Sequence, residues 1–177
     1  MKSENAMSPS MALTAIKTLI FTLLVPGSVT VLVPYLMLSS GRELHAWLIG
    51  PLRFLGIFPM ILGVFFYLRC AWDFTFIGRG TPAAFDPPRR FVATGLYRIV
   101  RNPMYVGITL ILTGEAIAFG STTLLDYASL LWLGFHLFVI YYEEPTLKKK
   151  FGKTYEEYFR VVPRWIPMMK IYKTTVQ

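Results

Sequence analysis

Along this chain the apolar positions gather into long blocks, and the polar positions are confined to the stretches between them. The blocks cover residues 13–38, 51–72, 103–120 and 124–142. Crossing a hydrocarbon core takes roughly 20 apolar residues in a helix, so the pattern predicts about four transmembrane helices. In the first block, Pro26, Gly27 and Pro34 mark places where a helix would kink, because proline lacks a backbone donor and crowds the preceding turn. Only Lys2 precedes that block, which is longer than a signal-peptide core and has no A-x-A site after it, so it reads as a retained helix. Blocks three and four are separated by Ser121-Thr122-Thr123, which predicts a tight antiparallel hairpin.

After the fourth block the pattern changes. Leu147, Phe151, Tyr155, Tyr158, Phe159 and Val162 recur at helical spacing, with lysines and Glu156 on the other face. This predicts an amphipathic helix over about 146–162, lying in the membrane interface. Between blocks two and three runs a polar connection, 73–101, rich in Gly, Pro and Arg; structureless loops of that length in compact proteins are usually functional or disordered. The fold expected is thus an all-α membrane protein, a single domain over 1–177, with a C-terminal helix hairpin and an interfacial amphipathic helix.

Composition agrees with the pattern. Of the 177 residues, 54% are hydrophobic and only 16% charged, against about a quarter charged in soluble domains. The net charge of +8 would fit nucleic acid, but its placement argues against that partner. Arg79, Arg89, Arg90, Arg98 and Arg101 lie before block three, and Lys148, Lys149, Lys150, Lys153, Arg160, Arg164, Lys170 and Lys173 follow block four. The turn between blocks three and four has no Lys or Arg. Positive residues collect in cytoplasmic loops, so the N-terminus, the long connection and the tail are expected on the cytoplasmic side. The expected location is a bacterial cell (inner) membrane. Cys70 is the single cysteine, which excludes an intrachain disulfide and a cysteine-based zinc site; no metal is expected.

Two stretches carry candidate chemistry. At the start of block three, Asn102 suits an N-cap and Pro103 the first helical position. Tyr97, Arg98, Arg101 and Tyr105 crowd the same entrance, and a helix N-terminus beside arginines suits an anion. At the end of block four, Glu143-Glu144 sits at the negative end of a helix dipole, which disfavours it unless a cation is present. Either the lysines beyond or a cationic ligand could supply that cation. A pocket with both ends would take a zwitterion, S-adenosylmethionine among others. Nucleotide-loop and H-E-x-x-H motifs are absent from the sequence. His45 and His136 are far apart, and Glu115, inside block three, is expected to hydrogen-bond a neighbouring helix.

The segment Gly95-Leu96-Tyr97-Arg98-Ile99-Val100-Arg101-Asn102-Pro103-Met104-Tyr105-Val106-Gly107 resembles the R-H-P-x-Y-x-G motif of isoprenylcysteine carboxyl methyltransferases and related phospholipid methyltransferase-like membrane enzymes. Glu143-Glu144, Leu147, Phe151-Gly152, Tyr155, Tyr158, Val162-Pro163 and Ile166-Pro167 resemble their C-terminal pattern. The resemblance spans about residues 78–168 and implies S-adenosylmethionine-dependent methyl transfer without a soluble Rossmann domain.

By position, the resemblance makes Phe91, Val92, Tyr97, Asn102, Pro103, Met104, Tyr105 and Glu143 the cofactor contacts, and Glu143, Glu144 and Arg101 the catalytic candidates. The implied partners are a lipophilic or lipidated acceptor entering from the bilayer, and membrane lipids. Asn102 stands where the motif has histidine and cannot titrate. Val139 stands where prenylcysteine enzymes carry a substrate-reading arginine. The alternative acceptor is a phospholipid amine headgroup. A small four-helix transporter using Glu115, or a non-catalytic membrane protein, is the reading from another class.

Overall fold

The computed structural model describes residues 11–40, 50–82 and 91–167. The turn residues 41–43, His45, the run 86–90 and the tail lysines Lys170 and Lys173 lie outside them. Every element among the described residues is helical. Helix α1 spans Met11–Ser39, α2 Pro51–Ile77, α3 Pro103–Phe119, α4 Thr122–Phe151 and α5 Lys153–Val161. Helices α1, α2 and α4 are long and apolar enough to cross a membrane. Helix α3 is apolar but has only 17 residues, about 25 Å at the helical rise, somewhat less than a core of about 30 Å.

Helix α3 is the centre of the bundle, with its closest packing against α2. The approach is made by glycines seven residues apart on both helices: Gly56 meets Gly114, and Gly63 meets Gly107. A Cβ on Gly63 would lie 2.5 Å from the Gly107 carbonyl oxygen and 2.8 Å from Ile111 N. Backbone-to-backbone contact of this kind is how helices associate where no water is present to drive them together. The pairing sets α2 and α3 antiparallel.

Hydroxyls join α1 to the rest. Thr18 and Thr75 hydroxyls share a hydrogen bond of 2.9 Å, Thr22 and Tyr67 another of 2.9 Å, and Tyr127 donates to the Val29 carbonyl at 3.1 Å. These contacts set α1 antiparallel to α2. Helices α3 and α4 form the expected hairpin, closed more tightly than the three-residue turn read from the sequence. Gly120 caps α3 with φ +63°, and buried Ser121 caps α4 by accepting the Leu124 N–H at 3.2 Å. The start of α1, the described parts of the connection (78–82 and 91–102) and the segment after α4 therefore lie at one end of the bundle.

Three departures from regular helix were not legible in the pattern. Helix α1 passes through a π-turn at Ser28–Leu32, between the two prolines expected to kink it. Helix α2 continues past Trp72 through a second π-turn, Asp73–Ile77, and α4 contains a third, Val139–Glu143. Inserted π-turns widen a helix locally and often mark functional positions. The amphipathic helix expected over 146–162 is two pieces. Its first part continues α4 to Phe151, Gly152 breaks the helix at φ +54°, and α5 follows. The apolar stripe packs on protein: Tyr155, Tyr158 and Val162 form a core with Ala93, with Leu147, Phe151, Phe159 and Phe91 against it. Glu115 is buried, and among the described residues its Oε2 has no hydrogen-bond partner.

Candidate active site

At the end of the bundle where the connection and the carboxyl-terminal segment meet, a cleft opens between α3, α4 and α5. Its empty space, open solvent at the mouth included, is about 1070 Å³. Of the residues read from the sequence as functional, Phe91, Val92, Tyr97, Arg101, Asn102, Met104, Tyr105, Glu143 and Glu144 line it. Pro103 does not; it is buried at the first position of α3, where its fixed φ starts the helix.

The hairpin brings the start of α3 to the end of α4, so that the Tyr105 hydroxyl donates to Glu143 Oε2 at 3.0 Å. Tyr105 also packs on Phe135, with ring centres 4.6 Å apart. The π-turn carries Glu143 into the cleft beside Glu144. The two carboxylates then part ways. Arg164 grips Glu144 with both arms of its fork, Nε to Oε1 at 2.8 Å and Nη2 to Oε2 at 2.9 Å. Arg101 Nη1 stands 3.1 Å from Glu144 Oε1. Among the described residues no cation faces Glu143.

Arg101 is held on its other face by Phe159, whose ring centre lies 3.9 Å from the guanidinium carbon. Its contact with Glu144 is an ion pair without hydrogen-bond alignment, because Nε and Nη1 remain buried donors with no acceptor. Buried donors left open are costly and rare. Asn102 differs from its expected role: it makes no side-chain cap on α3, and Nδ2 donates instead to the Arg164 carbonyl at 3.1 Å. Beside it the Arg101 N–H donates to the Pro163 carbonyl at 2.8 Å, so both residues are bonded to the carboxyl-terminal segment.

The walls of the cleft are aromatic. Phe91 meets Phe151, Tyr155 and Tyr158 at ring-centre distances of 5.3, 5.9 and 5.0 Å, and Phe74 meets Tyr97 at 5.5 Å. Tyr158 donates its hydroxyl to the Tyr97 carbonyl at 2.7 Å, tying α5 to the connection. Burial, reinforced by the Glu144 charge and opposed by the charge and a hydrogen bond of Arg101, pushes the Tyr155 hydroxyl up to about 12, and Tyr97 is raised well above the usual phenol range chiefly by burial. Both stay neutral at physiological pH. On the outward side the lining includes Phe138 and Tyr142, whose rings stack at 5.0 Å and are 40% and 51% exposed. Both belong to α4, a helix long and apolar enough to span, so exposed rings of that helix edge the cleft.

Several lining residues escaped the sequence reading: Phe74 in the last turn of α2, Thr81 and Pro82 just beyond it, Phe138 and Tyr142 before the glutamates, and the α5 tyrosines. The tyrosines were visible as part of the apolar stripe but were assigned to the membrane surface. Phe74 and Tyr142 sit in π-turns, which leave no pattern in the sequence. Val139, matched to a substrate-reading arginine, is fully buried and does not line the cleft. Comparisons with curated proteins and with solved structures give no match. Residues 52–154, more than half of the chain and including the α3 entrance and both glutamates, match the phospholipid methyltransferase family. The chain belongs to this family of membrane methyltransferases.

Proposed function

We propose that this protein transfers the methyl group of S-adenosylmethionine to a lipophilic acceptor reached from the bilayer. The observation that carries the reading is the unequal state of the two ends of the cleft: Arg101 has buried donors without acceptors, and Glu143 has a carboxylate without a cation. These groups fit the methionine end of the cofactor, which has a carboxylate to fill the first and cationic nitrogen and sulfur for the second. Bound there, the cofactor supplies an electrophilic methyl group on a sulfonium.

The chain's own groups bind and orient. Tyr105 fixes Glu143 by donating to Oε2, and Phe159 holds the Arg101 guanidinium from behind. The aromatic walls exclude water, which strengthens both charged contacts. Methyl transfer is an in-line displacement, and holding donor and acceptor in that geometry is the main service an enzyme offers it. The exposed rings of Phe138 and Tyr142 at the edge of the cleft support entry of the acceptor from the apolar side.

The acceptor implied first by the resemblance is a lipophilic, membrane-borne one of the isoprenylcysteine carboxyl methyltransferase kind. A second reading, a phospholipid amine headgroup, is favoured by two observations. No arginine replaces buried Val139 to read a carboxylate, and Glu143 is available to take a proton from an amine onto its carboxylate. Purified protein in vesicles of bacterial total lipid, given methyl-labelled S-adenosylmethionine, is expected to move label into the organic-extractable fraction. Label confined to the aqueous phase would refute a membrane-borne acceptor.

The lysines and arginines at the site end of the bundle support a cytoplasmic orientation for it. In a Cys70→Ser background, an impermeant thiol reagent applied from outside should label Asp126→Cys and spare Lys149→Cys; both positions are exposed, at opposite ends of α4. The reverse pattern would invert this topology.

A further inference from the structure

Beyond α5 the chain turns back across the start of α3, and its contacts converge on Glu144. Arg164 fills both oxygens of that carboxylate, at 2.8 and 2.9 Å. Its backbone is pinned at the same place, since the Arg164 carbonyl accepts Asn102 Nδ2 and the Pro163 carbonyl accepts the Arg101 N–H. Trp165 adds a further anchor by donating Nε1 to His136 Nδ1 at 2.9 Å. Arg164 itself does not line the cleft, whereas Arg101 and Glu144 do.

Two guanidinium groups thus stand at one carboxylate, and only one of them is hydrogen-bonded to it. Arginine and carboxylate prefer the two-bond fork arrangement. With both oxygens already engaged by Arg164, Glu144 gives Arg101 a nearby charge but no aligned acceptor, and Arg101 Nε and Nη1 stay open. A lone Glu144 beside Arg101 would be free to rotate and take those donors for itself.

We propose that Arg164 is a positioning residue that acts through Glu144: by occupying that carboxylate it keeps Nε and Nη1 of Arg101 free for the carboxylate of the ligand. The proposal rests on the reading of the cleft as a site for the methyl donor. It also separates the two neighbouring glutamates, giving Glu143 to the ligand and Glu144 to the scaffold.

The test uses affinity for S-adenosylhomocysteine, measured by calorimetry on the detergent-purified full chain, with a thermal melt of each variant. Arg164→Ala is expected to weaken binding about tenfold, as Glu144 captures Arg101 in a two-bond pair. Adding Glu144→Gln to that variant removes the competitor and is expected to restore binding to within about threefold, since an amide is a poorer partner for guanidinium. A role in stability alone predicts the opposite, a double variant weaker than either single one. Arg164→Gln, which keeps a long polar side chain without a fork, covers the case in which Arg164→Ala does not fold. Full affinity in the Arg164 variants, or no recovery in the double variant, overturns the proposal while leaving the ligand reading intact. Absence of binding by the unaltered protein overturns both.

Discussion

Glu143→Gln is expected to weaken S-adenosylhomocysteine binding about 10- to 100-fold, the equivalent of the ~1.5–3 kcal/mol carried by a hydrogen bond to a charged group. The substitution removes one charge and keeps shape and hydrogen-bonding capacity. It leaves the Tyr105 hydroxyl an oxygen to donate to, so the packing of the α3–α4 hairpin should survive. The effect is large because this carboxylate faces the cleft with no cation of the protein's own among the described residues. Its neighbour provides an internal contrast, since Glu144 has Arg164 and Arg101 beside it. Measuring transfer as well as affinity distinguishes the two acceptor readings. If Glu143 takes a proton from an amine, turnover at saturating donor should fall by a further large factor. Unchanged affinity in Glu143→Gln would remove this residue from the donor site.

The second large effect is on the fold. Gly63→Ala should destabilise the protein by about 1–3 kcal/mol, the usual cost of forcing one extra carbon into a filled interface, and Gly63→Leu should prevent folding. A Cβ at Gly63 meets the Gly107 carbonyl oxygen and the Ile111 backbone, neither of which is the end of a flexible side chain. Because α2 and α3 touch through paired glycines, any separation there also moves the α3 entrance that holds Arg101, Asn102 and Tyr105. Gly134 supplies the control: it lies within α4 with open space around it, so Gly134→Ala should be neutral or stabilise by about 0.5–1 kcal/mol through helix propensity. Thermal denaturation in detergent reads both. Equal melting temperatures for the two alanine variants would contradict the close-packed α2–α3 contact.

What the sequence disclosed, it disclosed through composition and spacing. The four apolar blocks are the helices α1 to α4, since an apolar run of that length has few other uses. Their ends moved for local reasons: Ser121 caps α4 earlier than the turn residues implied, and Gly152 stops it later. The meeting of Tyr105 with Glu143 was also legible, because a two-helix hairpin with a short turn must bring those ends together. Three things were hidden. A π-turn is one extra residue in a turn, with no residue type that announces it. The stripe on α5 has the same apolar period whether it faces lipid or, as here, Phe91 and Ala93. The third was the bond of Asn102, whose residue type fits a cap but whose partner, the Arg164 carbonyl, lies far along the chain.

The central claim is that this cleft binds the methyl donor. Calorimetric titration of the purified, folded chain with S-adenosylmethionine and S-adenosylhomocysteine tests it most directly. The arrangement of Arg101 and Glu143 predicts binding in the micromolar range, about −8 kcal/mol, with a rise in melting temperature that grows with ligand concentration. No heat and no thermal shift with either ligand would contradict it.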